Sequence, residues 1–353
     1  MSRLKEAIGS IPLPDEGVRE RALDRLRNQA RPTGSLGVLE DVGAKLAAVS
    51  GTLDVCLQRK VVVTCAGDHG IVAEGVSLFP QDVTWQMVAN FVNGGASINV
   101  LAKHAGARVI VADLGVNHDF DPALPICHKK VRRGTANFRR EPAMTREQAV
   151  TSVEAGIEIV DELVADGGLD LLGTGDMGIG NTSPSTAIIA AFSGLPVAEL
   201  TGRGTGLGDE ALQHKIDVID AALRERAPNP KDPIDVLAKV GGCEIGGLAG
   251  LVIGAAAHGV PVVCDGLIST AGALIAYELA PAVSHYLFAS HRSVEVGHRF
   301  MHQRLGVEPL LDLRFRLGEG TGAAVAFHLM DAATRVLANI KTFAEVAIAD
   351  AQD

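Results

Sequence analysis

The chain has 353 residues, with 32 basic and 42 acidic side chains, and so carries a net charge of −10 with histidines neutral. Apolar residues at 47% support a substantial core and exclude wholesale disorder. The acidic balance argues against a nucleic-acid partner: duplex binders show a basic footprint, and aromatics at 4% remove the stacking platforms of a single-strand binder.

Residues 1–50 carry helical patterns broken by prolines, with no strand. Buried strands are predicted at 60–66 (KVVVTCA), 107–114, 169–173, 260–265 and 283–290, with a further candidate at 311–317. Helical patterns lie between them at 84–104, 145–165, 209–224, 243–258 and 267–279, and everything after 321 reads as helix. Continuous apolar strands alternating with helices predict an α/β fold, a Rossmann-like doubly wound parallel sheet covered on both faces. Right-handed crossovers then gather the strand-to-helix loops at the sheet edge where ligands bind. Chain termini usually lie near one another. Residues 1–50 and 321–353 are therefore expected to form a small helical lobe on an α/β core of 51–320, with 1–353 as one unit.

Five cysteines form no CxxC pair and no zinc-type spacing, which suits a reducing compartment. The N-terminus lacks an apolar signal core, and the longest uncharged apolar stretch, 246–257, is too short for a membrane span. The expectation is a soluble cytoplasmic protein without a membrane partner.

The 40 glycines are far above the usual share and cluster in loops at 66–75, 173–185, 202–210 and 318–324. Such loops turn backbone N–H groups toward an anion, with a helix dipole behind them. None is a GxxxxGK[ST] P-loop. Gly173, Gly175 and Gly178 spell GxGxxG after a strand, with Glu199 downstream, so an NAD-dependent oxidoreductase stays open as an alternative. A non-catalytic nucleotide sensor on the same sheet is another.

His291, Glu295, His298 and His302 recur at the spacing of one helix face. Spread over three turns and without HExxH, they read as a polar face near a phosphate pocket, not as a metal site. Glu319 lies between glycines after the 311–317 strand candidate, placed for a raised pKa, although a glutamate in a turn is ordinarily solvated.

Nine stretches together resemble the nicotinate-nucleotide–dimethylbenzimidazole phosphoribosyltransferase family. They are RPTGSLG (31–37), AGDHGIVAEGVSLFPQDVTWQMVANF (66–91), GGASINVLA (94–102), GTGDMGIGNTSPSTAI (173–188), GRGTGLGDE (202–210), GGCEIGGLAG (241–250), DGLISTAGAL (265–274), SHRSVEVGH (290–298) and LGEGTGAA (317–324). The resemblance implies transfer of phosphoribose from nicotinate mononucleotide to 5,6-dimethylbenzimidazole, giving nicotinate and α-ribazole 5′-phosphate with inversion at the anomeric carbon. It implies a homodimer without metal or cofactor, and Glu319 as the general base. Asp176, where the family pattern has Glu, is one methylene shorter and would stand near the ribosyl centre. The resemblance also implies that Ser77, Phe79, Gln86 and Leu317 line the benzimidazole pocket. Gly175, Gly178, Gly180, Asn181, Thr182, Gly202, Arg203, Gly204, Lys215 and Ser293 would hold the phosphate and ribose.

Overall fold

In the computed structural model, which describes residues 2–204 and 206–348, seven strands form one parallel sheet in the order β3-β2-β1-β4-β5-β6-β7. They are β1 (Lys60–Gly67), β2 (Ala107–Gly115), β3 (Cys127–His128), β4 (Leu171–Met177), β5 (Val262–Cys264), β6 (Leu287–His291) and β7 (Pro309–Leu311). Every residue of β1 is buried, as a central parallel strand requires. Its side chains alternate between two cores. Val61, Val63 and Cys65 face the helices Arg146–Ala165 and Cys243–Ala257; Val62 and Ala66 face Phe327 and Met330 of the helix Thr321–Asn339. The order of the strands reverses between β1 and β4, so a crevice opens beyond their carboxyl ends.

Local chemistry places the helices. Thr145 and Gln148 form a reciprocal capping box that starts Arg146–Ala165, and Asp232 accepts from the Asp235 amide to start Pro233–Val240. Glycine does more than shape loops. Arg146–Ala165 and Cys243–Ala257 cross so closely that a Cβ on Gly156 would overlap the Gly247 carbonyl, and one on Gly250 the Val153 carbonyl. The GGCEIGGLAG stretch is thus largely helical packing surface.

Four expected elements differ. The 84–104 segment is two helices, Val83–Val92 and Ser97–His104, divided at Gly94, which has φ 74°. The strand expected at 169–173 starts later and runs to Met177, so Gly173 and Gly175 are strand residues. Only the second half of 283–290 is strand; Pro281–His285 is a 3-10 turn begun by its proline. The 311–317 strand is absent: β7 stops at Leu311, and Arg314 adopts φ 57°, a left-handed conformation that no strand tolerates.

The chain ends meet. Gln29 bridges to Thr342, and Val18, Ala22, Leu26, Ala44, Ala47 and Leu337 share one cluster. The helix Thr321–Asn339 does not belong to that lobe alone. Ala323 and Phe327 at its start pack on the sheet, because a helix opening beside β4 must cross the core before reaching the N-terminal helices.

Replacing Gly156 with alanine should push the two crossing helices apart. A loss of about 1–3 kcal/mol in unfolding free energy is expected, read by chemical denaturation monitored by circular dichroism. An unchanged midpoint would show that the helices can separate freely.

Candidate active site

A cavity lies beyond the carboxyl ends of the strands, at the switch between β1 and β4. The loop after β1 supplies Ser77 and Phe79, the end of β4 and its loop supply Asp176 to Thr182, and β6 and its loop supply His291, Ser293 and Glu295. The segment after β7 closes the cavity with Leu317 and Glu319.

Glu319 has φ 64°, and its backbone is held from three sides. Its amide donates to the Asp176 carbonyl at 3.1 Å, its carbonyl accepts from Thr64 Oγ1 at 2.8 Å, and the Gly320 amide donates to Asp265 Oδ2 at 3.1 Å. The side chain reaches the N-terminus of Ser97–His104, where the Ile98 amide donates to Oε2 at 3.1 Å. Burial pushes the carboxyl above its ordinary pKa, although the Ile98 and Ser97 amides favour the charged form.

Asp176 is buried beside it. Asn181 Nδ2 donates to Oδ2 at 2.9 Å, and Oδ1 has no partner among the described residues. Burial holds this carboxyl well above the usual range, and the charges of Asp265, Glu244 and Glu319 push the same way. Asp265 also sits high, at about 7, through burial, although backbone amides including those of Gly322 and Gly320 favour its charged form.

The far end of the cavity is cationic. Lys215, 1% exposed, donates from Nζ to Thr182 Oγ1 at 2.7 Å at the start of the helix Thr182–Ser193. Burial pushes it down to about 8, opposed by the Glu295 charge. A glycine-rich turn, a helix N-terminus and a buried ammonium together make an anion seat. The opposite wall is apolar, built from Val83, Met87 and Met177 with Phe79 and Leu317 at an open mouth.

The chain is similar to known proteins over nearly its whole length. A phosphoribosyltransferase family model matches residues 11–348. The nicotinate-nucleotide–dimethylbenzimidazole phosphoribosyltransferase of Geobacter sp. (strain M21) is 56% identical over 348 residues, covering 99% of each chain. That of Geobacter metallireducens is 55% identical over 353 residues and the whole of both chains. The crystal structure of CobT from Thermus thermophilus matches with a TM-score of 0.91 at 44% identity, covering 95% of this chain and 100% of that one. The chain belongs to the nicotinate-nucleotide–dimethylbenzimidazole phosphoribosyltransferase family.

Of the residues expected from that family, Glu319, Asp176, Ser77, Phe79, Gly178, Gly180, Asn181, Thr182, Arg203, Gly204, Lys215, Ser293 and Leu317 meet around one cavity. Three do not line it. Gln86 is exposed on Val83–Val92, where Val83 and Met87 face inward instead. Gly175 lies behind the wall, where a Cβ would overlap the Glu319 carbonyl; Gly202 likewise leaves room for the Glu295 carboxylate. Thr205, within the 202–210 stretch, lies outside the described residues.

Three sequence readings are corrected. Gly173 and Gly175 sit in β4 packed on Phe327 and the Glu319 loop, not in a phosphate turn, and Glu199 is exposed in Val197–Leu200. The GxGxxG spelling therefore does not make a dinucleotide fingerprint. His291, Glu295, His298 and His302 do not share a helix face: His291 ends β6, Glu295 is in the following loop, and only His298 and His302 belong to Gly297–Leu305. All four are buried, not a polar surface. Among the described residues no three His, Cys, Asp or Glu side chains are grouped to hold a metal ion. The glutamate after a strand end is likewise a glutamate after an irregular loop.

Sequence reading missed Met87 and Met177, which look like ordinary core residues, and Asp265, which looked like a strand end. The DG pair after a buried apolar run was the one signal for Asp265.

His298 has both nitrogens engaged. The Ser293 amide donates to Nδ1 at 3.1 Å, so the proton is on Nε2, 2.8 Å from Thr270 Oγ1. Burial pushes its pKa well below that of free imidazole. Nitrogen NMR should show the Nε2–H tautomer with no titration near about pH 6.5, and added zinc should leave its resonances in place. Protonation in that range would mean that the ring is not held this way.

Proposed function

We propose that the chain transfers the 5-phosphoribosyl group of nicotinate mononucleotide to 5,6-dimethylbenzimidazole, releasing nicotinate and α-ribazole 5′-phosphate for the lower ligand of cobalamin. The observation that carries this reading is a cavity with an anion seat at one end, an apolar wall at the other and buried carboxylates between them.

The phosphate would lie on the Gly178–Thr182 turn with Lys215. The flat benzimidazole would lie against Met87, Met177 and Leu317, whose exposed apolar surface it would cover. In nicotinate mononucleotide the glycosidic nitrogen is cationic, so nicotinate leaves with the bonding electron pair as a neutral pyridine nitrogen and needs no acid. One benzimidazole nitrogen forms the new bond to the anomeric carbon. The other loses its proton to Glu319. Attack opposite the departing β-linked base inverts the carbon and gives the α product. Positive charge grows on the ribosyl ring in the transition state; it would favour ionisation of Asp176, whose carboxyl burial otherwise holds protonated, and the carboxylate would in turn stabilise that charge. No cofactor enters this scheme.

The same reading takes residues 1–353 as one catalytic unit, a homodimer in the cytoplasm. Support comes from full-length similarity to the curated relatives and five unpaired cysteines. Exposed Leu78 and Leu313, beside the cavity mouth in sequence, offer apolar surface for a subunit contact.

Purified protein given both substrates should release nicotinate and α-ribazole 5′-phosphate on a chromatogram. Binding without nicotinate release would instead mark a sensor. Glu319→Gln should cut turnover by about 10² to 10⁴ while leaving the KM for nicotinate mononucleotide nearly unchanged. Because burial raises the Glu319 pKa, the carboxylate is lost as pH falls through a value above that of free glutamate. The parent should show that acid limb, and the Gln variant should lack it. Parental turnover with the same limb in the variant would place the base elsewhere.

Lys215 is charged below about pH 8 and neutral above it, so kcat/KM for the nucleotide should fall as pH rises through about 8. Lys215→Met should raise that KM roughly 10- to 100-fold, the worth of a charge-assisted hydrogen bond, and abolish the alkaline limb. A variant with parental KM would remove Lys215 from the phosphate site.

A further inference from the structure

One polar group on the nucleotide side of the cavity has no role in the scheme above. His291, the last residue of β6, is 2% exposed and lines the cavity next to Gly266 and Ser293. Its ring stands against the start of the helix Thr321–Asn339, where a Cβ on Gly322 would overlap Nδ1.

The neighbouring hydrogen bonds fix its tautomer. Ser290 Oγ donates to the Asp265 carbonyl at 3.1 Å, which uses its single proton. The 2.9 Å contact between Ser290 Oγ and His291 Nδ1 is then a hydrogen bond donated by Nδ1–H. Asp265 Oδ1, 3.8 Å from Nδ1, favours the proton on that same nitrogen. Burial pushes the pKa of His291 down to about 4, so the ring is neutral near pH 7. Nε2 therefore carries a lone pair. It has no hydrogen-bond partner among the described residues, and it is not one of the buried polar atoms sealed from solvent.

We propose that His291 Nε2 accepts a hydrogen bond from a ribose hydroxyl of the bound nucleotide, and that it is the residue by which the site distinguishes a ribonucleotide from a deoxyribonucleotide. The proposal rests on the functional reading above. Near pH 7 the phosphate and the carboxylate of nicotinate mononucleotide are anionic acceptors, so its ribose hydroxyls are the donors that a lone pair can receive. The N–H of the benzimidazole is taken by Glu319, a stronger acceptor. With the hydroxyl in place the donors run in one direction, from ribose to Nε2, from Nδ1 to Ser290 Oγ, and from Ser290 to the Asp265 carbonyl. A chain so aligned polarises each of its members.

The test compares kcat/KM for nicotinate mononucleotide with that for its 2′-deoxy and 3′-deoxy analogues, in the parent, His291→Asn and His291→Gln. The parent should disfavour one analogue by about tenfold, the scale of one neutral hydrogen bond. Asparagine can reach Ser290 but is too short to replace Nε2, so that ratio should fall to near unity. Glutamine places an oxygen near the Nε2 position and should restore part of it. A ratio taken within one variant is insensitive to a change in the amount of folded enzyme, so a purely structural role would not move it. Should the variants fail to fold, nitrogen NMR of the parent gives a second reading: nicotinate mononucleotide should shift the Nε2 resonance, and the disfavoured analogue should not. A parental ratio in His291→Asn, or no Nε2 shift on nucleotide binding, overturns the proposal while leaving the functional reading intact. No turnover of nicotinate mononucleotide by the parent overturns both.

Discussion

The site depends on one buried carboxylate that performs no chemistry in the proposed reaction. Asp265, directly after β5, receives the amides of Gly320, Gly322 and Ala323 at 3.1, 2.7 and 3.3 Å, which caps the helix Thr321–Asn339 from the neighbouring strand. A helix N-terminus leaves its first amides unpaired, and a carboxylate answers both those donors and the positive end of the dipole. The cap also fixes the residue in front of the helix. Glu319 is held at a positive φ that a residue with a Cβ adopts only under constraint, and the constraint comes from Asp265, Thr64 and the Asp176 carbonyl. Gly175 completes the arrangement by giving up its side chain so that the Glu319 backbone can lie against β4.

Charge is distributed along the cavity in a way that matches a reaction moving positive charge. Lys215 stands at the proposed phosphate end, while Asp176 and Glu319 line the cavity beside the end of β4, and Asp265 and Glu244 lie outside the lining with their charges acting on Asp176. Crowded carboxylates in a dry site resist ionisation, which is why burial and mutual repulsion raise Asp176. A cationic ribosyl group arriving beside such carboxyls would lower their raised pKa values and be stabilised by the ionised forms it favours. Burial makes Glu319 hold its proton more firmly than a glutamate in water, so in the proposed reaction it would remove a proton from an azole more readily.

Much of this was legible in the sequence. The sheet was, because parallel strands buried on both faces write continuous apolar runs, as KVVVTCA does at β1. The loops that meet at the cavity were legible as glycine clusters. The glycines themselves were only half legible, since Gly173, Gly175, Gly202 and Gly250 each admit a neighbour where a Cβ would stand. Spacing cannot separate those two demands. The 311–317 candidate misled because RFRL has the alternation of a strand, while its conformation is set by β7 ending at Leu311 and Arg314 turning left-handed. The histidines misled for a similar reason: a helical period spans a strand end, a loop and a helix that tertiary packing brings together, with the His291 and His298 rings 6.0 Å apart.

As the proposed general base, Glu319 would be both anchored and available. Its carboxylate accepts from the N-terminus of Ser97–His104, a helix that exists separately because Gly94 and Gly95 break the preceding one. Those amides hold the group in place and favour its charged form; burial opposes them and wins, so the pKa rises. A carboxylate offers about four lone-pair positions, so two backbone donors leave room for a substrate N–H. When the proton arrives, the same amides stop stabilising a full negative charge, and the neutral acid gains from the burial that had penalised the anion. Burial and helix dipole act in opposite directions on the two protonation states, which keeps either form accessible during turnover. A glutamate in the open turn that sequence alone suggests would have neither anchor nor burial, and would remain near its ordinary pKa as a weaker base.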